Sequence, residues 1–184
     1  MGKTTAKSFL LVRKFIDERT NGTGFRRVYN QLTKDEKRQF DSLRPEDWVE
    51  YGLYFRLLVL GAQAADAEVL KFCEEFGIYQ AEHDTKLLHR TAMRLGGPGV
   101  MIMEADQIWR RYHDTGHLRI SNILPNQSTA RIEEMEGGGV PLCAVLMGFI
   151  GKALMLCGVK DLKMVHNKCR FRGDDVCEYN GNWK

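Results

Sequence analysis

The sequence predicts an α+β domain in which N-terminal helices precede a small antiparallel sheet packed on a buried apolar helix, with a cysteine-containing hairpin at the C-terminus. Two observations support this. Apolar residues recur at helical spacing as far as Tyr112, and from His117 onward they alternate with a period of two, as in strands. The longest apolar stretch, residues 140–159, then lies between two predicted strand pairs.

Helix signals mark the first part of the chain. Thr33 and Glu36 form a capping-box pattern, Pro45 suits the first position of a helix, and Gly96-Gly97-Pro98 suits the end of one. The sequence Asn21–Gly24 interrupts the first helix. The predicted helices are residues 5–18, 25–32, 34–43, 45–63 and 66–95, and a further segment that ends near Tyr112.

Four strands and one helix complete the prediction. Pro125-Asn126 makes a turn between two strands, and Glu136–Gly139 separates that pair from the apolar helix. The predicted strands are residues 117–123, 128–135, 161–171 and 176–180, and the apolar helix is 141–157.

Length and composition point to one compact unit. A chain of 184 residues buries one good core, within which we expect a helical region, 1–65, that can dimerise, and an α+β ligand-binding region, 66–184. The net charge of +3 gives no footprint for nucleic acid. Lys152 and several Gly or Pro residues interrupt the longest apolar run, so a core helix is favoured over a membrane span. Without an export signal the predicted compartment is the cytoplasm, where thiols stay reduced.

Three of the five cysteines can meet. Cys169 and Cys177 are symmetric about Gly173, so a three-residue loop centred there would place them opposite each other on paired strands. Cys143 lies at the start of the apolar helix, where the macrodipole favours a thiolate. His166 is the nearest fourth ligand, but a regular strand would turn it to the other face unless the strand bulges. The alternative is a set of buried reduced thiols beside an exposed histidine.

The last forty residues resemble the 4-vinyl reductase domain, and most closely its zinc-containing version in the sensory domains of bacterial aromatic-responsive activators. The resemblance rests on Cys143, on Gly148 and Gly151, on the segment CRFRGDDVC at 169–177, and on Trp183. It implies a structural zinc. The ligands it implies are Cys143, Cys169, Cys177 and His166, the last in place of the family's Glu. It also implies a standalone bacterial relative that dimerises through its N-terminal helices.

The predicted function is a small-molecule-binding sensory or regulatory domain. Its apolar pocket would be lined by Trp109, Tyr112, Met147 and Phe149, although such side chains also suit a plain core. The ligand would be a hydrophobic or aromatic molecule, and a protein partner would receive the signal. Catalysis is not favoured, because all four metal positions would be filled by protein. Two alternatives are a tetrapyrrole vinyl reductase or its accessory subunit, and a structural adaptor.

Overall fold

The computed structural model describes residues 2–83 and 98–184. Their elements, in chain order, are β1 (Lys3–Thr5), α1 (Ala6–Arg19), α2 (Gly24–Gln31), α3 (Lys34–Asp41), β2 (Trp48–Glu50), α4 (Tyr51–Ala64), α5 (Val69–His83), α6 (Pro98–Met103), α7 (Ala105–Trp109), β3 (His117–Leu124), β4 (Gln127–Glu133), α8 (Val140–Leu156), β5 (Lys163–Lys168) and β6 (Cys177–Asn182). The predicted α+β class is confirmed.

The capping box at the start of α3 is present as predicted. Thr33 Oγ1 accepts a hydrogen bond from the backbone N–H of Glu36 at 3.2 Å, and Glu36 Oε2 accepts one from the Thr33 N–H at 2.8 Å. These two bonds satisfy donors that the first turn of a helix leaves without partners.

The prediction of a helix starting at Pro45 is wrong. The segment first turns, with the Asp47 carboxylate accepting the Arg44 N–H at 2.8 Å, and then forms β2, which pairs antiparallel with β1. Val49 is buried in that short strand between exposed neighbours. Helix α4 therefore begins at Tyr51, because pairing with the N-terminal strand overrides the local proline signal.

Helix α5 starts three residues later than predicted. Asp66 has a left-handed backbone, with φ of 50°, which ends α4 and reverses the chain. The Glu68 carboxylate then accepts the N–H groups of Leu70 and Lys71 and so caps α5. The predicted continuation of this helix to Leu95, and its end at Gly96-Gly97, lie outside the described residues.

Helices α5 and α8 cross at close range in the centre of the molecule. A Cβ atom at Gly77 would overlap the carbonyl oxygen of Val145, and one at Gly148 would overlap that of Glu74. The two glycines therefore allow the helix backbones to touch, and this contact holds the N-terminal helices against the C-terminal part of the chain.

The four longer strands form one antiparallel sheet in the order β3-β4-β6-β5. Ile132 and Tyr179 on its inner face are at most 2% exposed and share one hydrophobic core with Leu142 of α8 and with Phe9 and Phe76 of the N-terminal helices. The four predicted strands and the apolar helix thus exist with slightly different ends. Among the described helices none is long and apolar enough to cross a membrane.

Candidate functional site

Three cysteines and one histidine converge where α8 meets the end of the sheet. Cys143 lies in the first turn of α8, Cys177 opens β6, and Cys169 follows β5 directly. The sulfur of Cys143 lies 3.8 Å from that of Cys169 and 3.6 Å from that of Cys177, and all three side chains are at most 4% exposed. With His166, the four ligand atoms lie within 4.8 Å of one another.

A bulge in β5 allows His166 to join the cysteines. The register of β5 against β6 shifts between His166 and Lys168, so the two-residue alternation of the strand is broken between His166 and Cys169. The imidazole ring stacks on Tyr179, with centroids 4.5 Å apart and planes 8° from parallel. Its Nε2 atom is buried and makes no hydrogen bond of regular geometry to the described residues, although the ring is near enough to Cys177 to help lower the pKa of that thiol.

The loop between the two cysteines is longer than the predicted three-residue turn. Lys168 pairs with Glu178, so Cys169 and Cys177 continue the same register. Between them the chain forms a single 3₁₀ turn, Arg170–Arg172, and then Gly173, with φ of 106°. The Asp174 carboxylate accepts the N–H of Cys169 at 2.7 Å and fixes that cysteine at the base of the loop.

The charge in the cluster differs from the expectation that the helix terminus makes Cys143 the thiolate. The hydrogen bond to Cys177 and burial raise the pKa of Cys143, whereas the same bond from Cys143 lowers the pKa of Cys177. Two sulfurs in contact do not both ionise readily, so the two pKa values move in opposite directions, and the direction favours Cys177 over Cys143 as the thiolate.

A second candidate site is a partly enclosed, mainly apolar cavity of about 80 Å³ between the helices and the inner face of the sheet. Of the four side chains that the sequence placed in a pocket, Trp109, Tyr112 and Phe149 line it. Met147 does not; it is half-buried and packs against the main core. Helix α8 contributes one long wall, which includes Leu146, Ala153 and Leu154.

The cavity also has polar lining that the sequence analysis missed. Ser8, Tyr54 and Gln80 come from α1, α4 and α5 and are at most 5% exposed, and the amide Nε2 of Gln80 donates to Ser8 Oγ at 3.2 Å. A signal existed for Gln80. It follows Phe72 and Phe76 at steps of four, so it is a polar residue on the apolar face of a helix.

His113 lies at the same polar end. Its Nδ1 lies 2.6 Å from the Tyr51 hydroxyl, and its ring packs on Trp109 with centroids 3.9 Å apart. Burial lowers the pKa of His113 to about 3, so the imidazole is neutral at physiological pH. None of the cavity-lining side chains in the described ranges is Asp, Glu, Lys or Arg.

No protein-family model matches the chain, and no curated protein matches it. Solved structures, in contrast, match the chain over almost its whole length. An H-NOX protein from S. oneidensis in the Fe(II)NO state superposes with a TM-score of 0.76 at 13% identity, over 98% of this chain and 99% of that one. An Fe(II) unliganded H-NOX protein from K. algicida gives 0.66 at 8% identity, over 98% and 96%. The fold is that of the H-NOX proteins. A third structure, from work on heme redox potential and porphyrin distortion, gives 0.67 at 10% identity, over 96% of this chain and 93% of that one.

These comparisons correct two expectations. The resemblance to the 4-vinyl reductase domain is wrong as an assignment, because the structures that share the fold along almost the whole chain are H-NOX proteins. The same finding overturns structural zinc as the chain's cofactor, since those structures are described with Fe(II) and heme. The structure still places the ligand atoms of Cys143, His166, Cys169 and Cys177 within 4.8 Å of one another.

The cavity, as its described residues form it, does not fit a haem. His113 is the one histidine among the described lining residues, and a ring nitrogen there is a suitable iron ligand. The volume of about 80 Å³, however, is well below the roughly 300–1,000 Å³ of pockets for drug-sized ligands. The described lining also offers no cation for the carboxylates that haem carries.

Proposed function

We propose that this protein is a sensory or regulatory module that binds one small, uncharged molecule directly in the cavity between its helices and its sheet. The observation that carries the proposal is the described part of the lining, which is uncharged and combines an apolar wall from α8 and the sheet with a few buried polar groups. Ligand sites in proteins commonly have this composition.

The size of the cavity limits the ligand. About 80 Å³ is roughly half of the ~150 Å³ engineered cavity that holds benzene. The ligand is therefore smaller than an aromatic ring, unlike the aromatic molecule that the sequence suggested. A tetrapyrrole substrate, the alternative considered from the sequence, exceeds this space further.

The lining also limits the charge of the ligand. An ion transferred into an apolar site without a partner loses several kcal/mol of hydration free energy. His113, the histidine of the described lining, is neutral at physiological pH, so it offers no positive charge to an anionic ligand. A neutral molecule loses much less on transfer.

The site is placed so that occupancy affects several elements at once. Its lining comes from α1, α4, α5, α8 and the sheet, so a ligand that binds the folded chain stabilises all of their contacts.

Four further expectations remain predictions. They are a cytoplasmic location, a homodimer, a partner protein that receives the signal, and the division of the chain at residues 65 and 66. Since no described residue set suggests a reaction, we propose binding without catalysis.

Isobutene, acetone and acetate are near-isosteres that test size and charge together. Titration of ¹⁵N-labelled protein, followed by NMR, is expected to shift amides around the cavity with isobutene and acetone but not with acetate. Ala153→Leu, which fills the cavity, is expected to abolish these shifts. Ala144→Leu is the matched control, because Ala144 lies on the same helix but not in the lining.

Either of two results would overturn the proposal. One is the absence of binding by both neutral probes to the wild-type chain. The other is stoichiometric uptake of added haem with a sharp Soret absorption band, because that would require a pocket several times larger than the one described.

We propose separately that Cys143, His166, Cys169 and Cys177 bind a transition-metal ion. The support is the convergence of their ligand atoms within 4.8 Å, together with the buried Nε2 of His166, which makes no hydrogen bond of regular geometry to the described residues. Thiolate and imidazole are ligands that soft and borderline metals prefer.

Co²⁺ is a suitable probe for this ligand set because cobalt–thiolate bonds absorb in the near ultraviolet. Added Co²⁺ is expected to produce such a band, and Cys169→Ser is expected to remove most of it. Cys157→Ser is the control, since Cys157 lies fourteen residues from Cys143 on the same helix, roughly 21 Å away. A band of equal intensity in both variants, or no band in the wild type, would refute the proposed site.

A further inference from the structure

The polar end of the cavity contains a hydroxyl group that makes no hydrogen bond to another described residue. Tyr54 is 2% exposed and lines the cavity. Its ring contacts Phe9, Phe55 and Phe76, at centroid distances of 5.4, 5.8 and 6.4 Å. Burial raises the pKa of Tyr54 well above its usual value, so its hydroxyl keeps its proton.

Such a group is costly to bury. A hydroxyl removed from water without a compensating bond costs roughly 1–3 kcal/mol of folding free energy in proteins. Many tyrosines are kept at such positions only where their hydroxyl finds a partner. A partner supplied by a bound molecule would offset that cost.

Two further polar groups, Ser8 and Gln80, line the same cavity as Tyr54. Phe9 is next to Ser8, and Phe76 is one helical turn before Gln80, so the ring of Tyr54 lies between α1 and α5 at the level of these two residues. The amide nitrogen of Gln80 donates to Ser8 Oγ, and its carboxamide oxygen is by its chemistry an acceptor. The corner therefore offers one donor and one acceptor.

We infer that the cavity ligand is a neutral molecule with a small apolar body and one carbonyl or hydroxyl group, and that Tyr54 donates the hydrogen bond that selects it. This inference rests on the proposed function. The apolar body lies against α8, whose lining side chains are aliphatic near Val145 and Leu146. A hydroxyl group in the ligand also satisfies Gln80, because it can donate to the carboxamide oxygen.

The role assigned to Tyr54 is to determine specificity and not to build the cavity. A merely structural tyrosine would affect an apolar ligand and a polar ligand of the same shape alike. Acetone and isobutene form such a pair, because they have the same number of heavy atoms and differ in the one oxygen. Tyr54→Phe removes only the hydroxyl and keeps the ring contacts with Phe9 and Phe76.

In the experiment, the dissociation constants of acetone and isobutene are measured by NMR titration for the wild type, Tyr54→Phe and Tyr29→Phe. Tyr29 lies outside the cavity lining, so its variant controls for the loss of a tyrosine hydroxyl elsewhere. Acetone is expected to bind Tyr54→Phe about fivefold to tenfold more weakly than the wild type, as one net hydrogen bond predicts. Isobutene is expected to bind both proteins equally or to bind the variant better.

The outcomes separate the two proposals. If both probes bind the wild type and Tyr54→Phe changes neither, or changes both equally, the role of Tyr54 is refuted and the neutral cavity site stands. If neither probe binds the wild type, the proposed function fails and this inference fails with it. Thermal unfolding of each variant shows whether the substitution has altered the fold.

Discussion

His113 is a residue whose protonation between pH 3 and pH 7 depends on the fold. It is 8% exposed, its Nδ1 contacts the Tyr51 hydroxyl, and its surroundings hold its pKa at about 3. In the unfolded chain the pKa of histidine is about 6.5. Below that pH the histidine is protonated in the unfolded state, whereas in the native state it stays neutral down to about pH 3.

The sign of the pH effect follows from this difference. Between about pH 6.5 and pH 3 the unfolded state binds more protons than the native state at His113, so the free energy of unfolding falls as the pH falls. One such group contributes up to ~1.4 kcal/mol per pH unit. Between pH 7 and pH 4.5 we therefore expect His113→Asn to lose about 2–3 kcal/mol less free energy of unfolding than the wild type loses.

Urea unfolding at the two pH values measures this difference. Other titrating groups are shared by both proteins, so their contributions cancel when the two changes are subtracted. Equal losses of stability in the wild type and in His113→Asn would show that His113 is not buried as a neutral group.

At the scale of elements, the crossing of α5 and α8 decides how the two halves of the chain fit. The backbones touch because Gly77 and Gly148 have no side chains at the contact. Close-packed interiors do not absorb an added methyl group where backbone atoms already occupy the space.

We expect Gly148→Ala to destabilise the protein by about 1–3 kcal/mol or more, since a Cβ there would overlap the carbonyl oxygen of Glu74. Gly52→Ala in α4 is the matched control. A Cβ at Gly52 meets nothing within 4 Å, so alanine should stabilise the helix by about 0.5–1 kcal/mol. Unfolding free energies from urea titration test both. A neutral Gly148→Ala would mean that the helices lie further apart.

At the scale of the whole molecule, one hydrophobic core joins the N-terminal helices to the C-terminal sheet. Phe15 packs on Phe72 and Phe76 with ring centroids 5.0 and 5.6 Å apart, and the same cluster extends to Tyr179 of β6. Removal of residues 1–65 would expose the side of α5 that α1 and α4 cover, together with the core side chains that pack there.

We therefore expect a single cooperative unfolding transition for the intact chain, and we expect residues 66–184 alone to lack a cooperative transition. Calorimetry tests the first statement, because the calorimetric and van't Hoff enthalpies agree for a two-state protein. Near-ultraviolet circular dichroism of the fragment tests the second. Two separate transitions would instead support two independently folding regions.

Much of the architecture could be predicted from local patterns. The change from helical spacing to alternation after His117 marked the start of the sheet, and the Thr33–Glu36 pair marked a helix start that the structure confirms. The pair β1 and β2 could not be predicted, because three-residue strands have too few residues to show a period and depend on a partner more than forty residues away.

The candidate sites likewise contain features that local patterns indicate and features that depend on distant parts of the chain. Spacing and residue chemistry brought the three cysteines together, but the position of His166 depends on a bulge, which is set by pairing with β6 and leaves no mark in the sequence. The cavity combines residues that the sequence analysis named with residues that it did not name. Trp109, Tyr112 and Phe149 were expected, whereas Tyr54 and Gln80 come from helices that fold against them over long distances in the chain.

The sequence by itself determined the α+β class, most helix and strand positions, and the cysteines that meet, because each of these follows from periodicity or from short-range chemistry. Only the tertiary structure decided the likeness of the fold to H-NOX proteins, the cavity, and the absence of charged side chains from its described lining. The physical reason is that a cavity is the space left between elements. It depends on how closely they approach, and here that approach is set by backbone contacts at Gly77 and Gly148.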